Sequence, residues 1–193
     1  MPLGAFKAAL MGTAGVSTAD VILLDSTTAD DDATISFTSL PDYGELIFKF
    51  YTIQPATNEA KFQFQASLDN SSYGVTTTTT YFLNMHNESN SNTELEYVVA
   101  VDQAQGTAFQ QLTENTGSAA DECLVGELHL FSNASTTYVK HFYSKFQTYT
   151  ADDYSREISV AGYFNKTDDI TAIQFKFDSG NINAGKIKMW GVK

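Results

Sequence analysis

From residue 170 to 177 the chain switches side at every position. Ile173, Phe175 and Phe177 fall on one side and Gln174 and Lys176 on the other, the two-residue period of a half-buried strand. Residues 61–68 alternate in the same way, which predicts that Phe62, Phe64, Ala66 and Leu68 face a core. Further strands are predicted at residues 21–24, 34–37, 45–53, 94–101, 124–131, 138–150, 158–164 and 187–193. The threonine run at 76–80 leads into Tyr81-Phe82-Leu83 and is read as an edge strand or its approach, because β-branched residues favour extended backbone. Polar loops are predicted at 84–94 and 102–122, the second long enough to suggest partner contacts, or else an irregular excursion with a short helix near 108–112.

Nine or ten short strands without a long amphipathic helix predict an all-β chain, a two-sheet antiparallel sandwich. Wide loops between strands favour jelly-roll or related Greek-key order over a meander. Residues 1–20 break the pattern and are read as an N-terminal arm before a β-sandwich domain at 21–193. A terminal apolar segment needs a surface to bury it, so Leu3, Phe6 and Leu10 are candidate partner-docking residues, the plain alternative being cover for an edge of the same sandwich.

Composition then narrows the partners. The chain has 193 residues, 23 acidic and 11 basic, for a formal charge of −12. Such a surface repels polyanions, so nucleic acid and anionic membranes are poor partners. No secretory signal is expected in the first 15 residues, where glycines interrupt any apolar run. No stretch nears the ~20 apolar residues of a membrane span. The single cysteine, Cys123, is read inside a strand and can form no intrachain disulfide.

Candidate chemistry is sparse. Asp30-Asp31-Asp32 lacks the spaced ligands and glycine turn of a calcium loop. Cys123 and His129 on one strand would stand roughly 20 Å apart, too far for a nucleophile and its base. His129, His141 and Glu127 would make a two-His, one-carboxylate metal set only if a hairpin placed the histidines opposite each other; solvent-facing strand residues are the plainer reading. Asp152-Asp153 and Asp168-Asp169 sit in turns, and a glycosidase would need two carboxyls ~5 to 10 Å apart across a cleft. No phosphate loop, dinucleotide fingerprint or nucleophile elbow is present. No catalytic residue, metal ligand or cofactor is therefore assigned. Four Asn-x-Ser/Thr sequons, at Asn70, Asn87, Asn133 and Asn165, are discounted as chance matches in an Asn- and Ser-rich chain.

Ile35-Ser36-Phe37-Thr38-Ser39-Leu40-Pro41-Asp42-Tyr43-Gly44, then Ala66-Ser67-Leu68-Asp69-Asn70-Ser71-Ser72-Tyr73, then Lys188-Met189-Trp190-Gly191-Val192-Lys193 form a series of turns and strand ends. In this order they resemble jelly-roll virion proteins of tailed bacteriophages, and the opening Met1-Pro2-Leu3-Gly4-Ala5-Phe6 is similar to that of marine phage structural proteins. The resemblance implies a non-enzymatic virion component, a tail appendage or capsid decoration, assembled in the host cytoplasm. It also implies association with other virion proteins and with copies of itself, as a homo-oligomer such as a trimer. A carbohydrate-binding module for host-surface glycan is the alternative, with Tyr43, Tyr73 and Tyr154 as contact residues in suitable turns. A small hydrolase built on the aspartate pairs is the third.

Overall fold

The computed structural model describes residues 20–193, so the proposed docking residues Leu3, Phe6 and Leu10 lie outside the described residues. The described chain is all-β, with twelve strands. They are β1 (Val21–Thr28), β2 (Ile35–Thr38), β3 (Glu45–Pro55), β4 (Phe62–Ser67), β5 (Thr77–Asn87) and β6 (Thr93–Tyr97). Then follow β7 (Gln110–Gln111), β8 (Leu124–Phe131), β9 (Lys140–Tyr149), β10 (Tyr154–Phe164), β11 (Ala172–Phe177) and β12 (Ile182–Val192). No described helix is long and apolar enough to cross a membrane.

Two antiparallel sheets face each other as a sandwich. The larger has eight strands in the order β1-β12-β3-β8-β9-β10-β5-β6, and the smaller has four, β2-β11-β4-β7. Only β5–β6 and β8–β9–β10 pair with their neighbours in sequence. The rest cross between sheets, unlike a meander, but most crossings are short, and the widest are 98–109 and 112–123 on either side of β7.

Alternation builds the interior. Phe62 and Phe64 of β4 and Phe175 of β11 meet Phe48 and Phe50 of β3, all buried. Phe175 lies at their centre, with ring centroids 5.5 Å from Phe48, 4.9 Å from Phe50 and 5.9 Å from Phe62. Most of these contacts are edge-to-face, which suits the ring quadrupole. Gly126 lets β8 and β9 approach: a Cβ there would stand 2.5 Å from the Lys145 carbonyl and from the Phe146 ring. No other residue fits there without moving β9.

Several sequence expectations change. β5 begins in the threonine run, which β6 does not flank: β6 pairs only with Phe82–His86, and Thr77 and Thr79 bond instead to Gly106 and Gln103 of the loop. The strand continues through the expected loop to Asn87, because Tyr81 and Leu83 point inward while polar Asn84 and His86 take the outward positions. The loop shrinks to residues 88–92, where the Asn87 carboxamide oxygen accepts the N–H groups of Ser91 and Asn92. The strand expected at 94–101 ends at Tyr97. The short helix near 108–112 is absent; its place is taken by β7, which pairs Gln110 and Gln111 with β4. Cys123 precedes β8 instead of lying inside it. Strands β10 and β12 begin several residues earlier than their apolar runs suggest.

Candidate functional site

A two-layer sandwich has two outward faces. The small sheet turns Ser36, Thr38, Gln174 and Lys176 outward, and part of this face is roofed by the loop after β6. Gln65 donates to the carbonyls of Thr107 and Ala108, and Lys176 sits 4.3 Å above the Phe109 ring. The long loop expected to meet partners thus contacts its own sheet.

The large sheet is different. Of the ten large apolar side chains that stay well exposed among the described residues, eight lie on its outward face: Val21, Leu23, Tyr51, Phe82, Leu95, Tyr97, Val125 and Tyr143. Register sets two of the eight, Leu23 and Tyr143, in one row with half-buried apolar neighbours. Leu23 of β1 pairs with Trp190, Trp190 with Ile47, Ile47 with His129, His129 with Tyr143, and Tyr143 with Ala161. One ladder therefore carries an apolar and aromatic stripe across six strands. Val21 and Val192 extend it along the next row. The Trp190 Nε1 atom is shut off from solvent and has no hydrogen-bond partner.

Charge sets this face apart as well. Its outward positions hold Lys49, Lys145, Lys186 and Lys188 against Glu45, Glu127 and Glu157, a formal +1. The whole chain carries −12, so the remainder carries −13. Lys49 pairs with Glu127 at 3.3 Å and Lys145 with Glu157 at 3.2 Å, so the charges are largely satisfied within the face.

His129 is the buried polar group of this stripe, 9% exposed. Its Nδ1 lies 2.5 Å from Glu45 Oε1. Its Nε2 stands 3.4 Å from Glu127 Oε1, an ion-pair distance without hydrogen-bond alignment. The ring stacks on Tyr143 with centroids 4.5 Å apart and planes inclined by 15°. Partial burial pushes the Glu127 carboxyl up, but the His129 imidazole and the Lys49 ammonium beside it outweigh that and hold the group below its ordinary value. The imidazole thus bridges two carboxylates, with a phenol ring laid flat against it.

The residues singled out in sequence mostly do not converge. His129 pairs with Tyr143, and His141 with Tyr163, so the two histidines are not opposite each other. Among the described residues no group of three or more His, Cys, Asp and Glu side chains has metal-holding geometry. Asp152 and Asp153 close the β9–β10 turn, Asp152 bonded to Arg156 at 3.0 Å and Asp153 accepting the Tyr149 hydroxyl at 3.2 Å. Asp168 and Asp169 follow the far end of β10, roughly 30 Å away at ~3.3 Å per residue. The two pairs therefore form no common dyad. Asp30 and Asp32 are tied to each other locally, the Asp30 N–H donating to Asp32 Oδ2 at 3.1 Å.

The three tyrosines are dispersed too. Tyr43 lays its ring over Gly191, where a Cβ would stand 2.8 Å from it. Tyr73 lines a recess with Asp69 and Lys166. Tyr154 accepts a hydrogen bond from Asn92 at 3.3 Å and lies 5.2 Å below the Arg156 guanidinium. It opens β10, whereas the Tyr73 loop meets the other end of that strand through Asn165 N–H to the Thr76 carbonyl, 2.7 Å.

The outward stripe went unread in the sequence, although a signal was there. Leu46-Ile47-Phe48, Val21-Ile22-Leu23-Leu24 and Met189-Trp190 are consecutive apolar residues on strands, which put apolar groups on both faces.

No protein-family description matches the chain, and no curated protein matches it. Among solved structures, a chain from the structure of infectious bursal disease virus Gx strain is similar at 10% identity with a TM-score of 0.16. The match covers 89% of this chain and spans 38% of that one. A likeness at this level carries no argument about function.

Proposed function

We propose that this chain is a non-enzymatic structural component of a phage-type particle, a tail appendage or capsid decoration. It works by protein–protein association through the outer face of its large sheet. The observation that supports this is the gathering of eight exposed large apolar side chains on one face that is nearly neutral while the rest of the chain is strongly acidic. Exposed apolar side chains gathered on one face are a feature of association sites. The occupant is another particle protein with a largely apolar contact surface, since Lys49 and Lys145 already pair with Glu127 and Glu157 and Lys188 lies over the Tyr51 ring. The acidic remainder keeps free copies apart in solution. The turn-and-strand-end resemblance to jelly-roll virion proteins supports the particle setting.

Mass spectrometry of purified particles tests the reading, with the double variant Leu23→Lys/Ile47→Lys beside the unaltered chain. The unaltered chain is expected on the particle and the variant in the unassembled fraction. Absence of the unaltered chain from particles, or full incorporation of the variant, overturns the proposal.

A further inference from the structure

The stripe changes character at β10. Ala161 faces Tyr143 across one strand boundary and Thr80 across the other, so a single methyl lies between a ring and a hydroxyl. The missing bulk leaves a shallow dish of about 410 Å³ whose walls are Phe131, His141, Tyr143 and Tyr163. The rings stand around it in two pairs, Phe131 with Tyr143 at 5.7 Å and His141 with Tyr163 at 6.1 Å between centroids. The volume is at the small end of the ~300 to 1,000 Å³ of small-molecule sites.

Two features select an occupant. No Asp, Glu, Lys or Arg lines the dish, although the chain as a whole carries −12. An uncharged ligand matches such a lining, and an anionic one finds no cation in it to pair with. The walls are also amphipathic: aromatic faces offer apolar area, while two phenols and an imidazole supply hydrogen-bonding groups at the edges. None of these three side chains spends its polar group on a side-chain hydrogen bond among the described residues. A ligand with an apolar face and a rim of hydroxyls fits both demands.

We infer that the dish around Ala161 is a binding site for a neutral pyranose of an oligosaccharide, packed against Tyr143 and Tyr163. The site does not depend on the particle reading. Tyr143 belongs to both the dish and the outward apolar set, so a partner covering the whole face would close the dish, and the free chain is the form in which the site is open.

The test is a titration of the full chain, followed by backbone amide resonances, with cellohexaose, maltohexaose and mannotriose at about 10 mM and with sialyllactose as the anionic probe. At least one neutral probe is expected to shift Tyr143, Ala161, Gly162 and Tyr163. Ala161→Phe, which fills the dish, should weaken that binding at least about tenfold with an unchanged Tm. Tyr163→Leu serves as the second variant should the first not fold, with the same loss expected. The inference is overturned by silence from all three neutral probes, by a response to sialyllactose alone, or by shifts centred on Tyr43, Tyr73 or Tyr154. Binding unaffected in a folded Ala161→Phe or Tyr163→Leu chain overturns it equally.

Discussion

The two sheets share one core but treat their outward faces differently. The small sheet follows the alternation rule, with Phe37, Phe175 and Phe177 inward and Ser36, Gln174 and Lys176 outward, and its own loop covers part of it. The large sheet breaks the rule: opposite Leu46 and Phe48 it presents Ile47, and opposite Met189 it presents Trp190. Folding accounts for the inward set on both sheets. The outward apolar set of the large sheet does nothing evident for folding, and so it is the part of the molecule that a function must explain.

The largest expected effect comes from the shared core. Phe175→Ala removes the ring that touches five other phenylalanines and should cost about 3 to 5 kcal/mol in denaturant unfolding, enough to threaten both faces together. Gly126→Val ranks next. Its Cβ meets the Lys145 carbonyl and the Phe146 ring within 2.5 Å, so a loss of about 1 to 3 kcal/mol is expected, read in the same assay. These two changes should look alike whichever face matters.

The comparison sharpens on the surface. Leu23→Lys/Ile47→Lys should lower stability by no more than ~1 kcal/mol while abolishing particle association. The matched small-sheet change Ser36→Lys/Gln174→Lys should leave both stability and association within error of the unaltered chain. Co-sedimentation with particles and thermal melting read the two pairs side by side.

The smallest effect is a pH dependence at the end of the sandwich. Burial pushes the Glu114 carboxyl above its ordinary value, against the charges of Arg156 and Lys61. The folded chain therefore holds this proton where the unfolded chain has released it. Stability contributed by the protonated form is complete below the ordinary glutamate range and falls as pH rises through the raised folded value. Glu114→Gln should flatten that fall, measured by denaturant midpoints from about pH 4 to 7.

Much of this architecture was legible in the sequence, for a physical reason. Strands such as β4 and β11 are half-buried, and half-burial writes a period of two into the chain. Elements held by pairing alone leave no such mark: Gln110 and Gln111 carry no period, and only Gln63 and Phe64 opposite them make β7 a strand. The outward Asn84 and His86 give the second half of β5 the composition of a loop, which hides its length from the sequence. The Glu45–His129 contact joins residues 84 apart, and the dish depends on a register across β8, β9, β10 and β5 that no local pattern encodes. The sequence points to tyrosines in turns for glycan contact; the dish proposed above is built instead from the strand residues Tyr143 and Tyr163.

Hydroxyl-radical footprinting of Leu23, Ile47 and Trp190, in the free chain and in the particle-bound chain, tests the central claim most directly. The account predicts that oxidation of these three drops sharply on the particle while the loop residues Val99 and Tyr138 are labelled equally in both states. Equal labelling of Leu23, Ile47 and Trp190 in both states, with protection elsewhere, would contradict it.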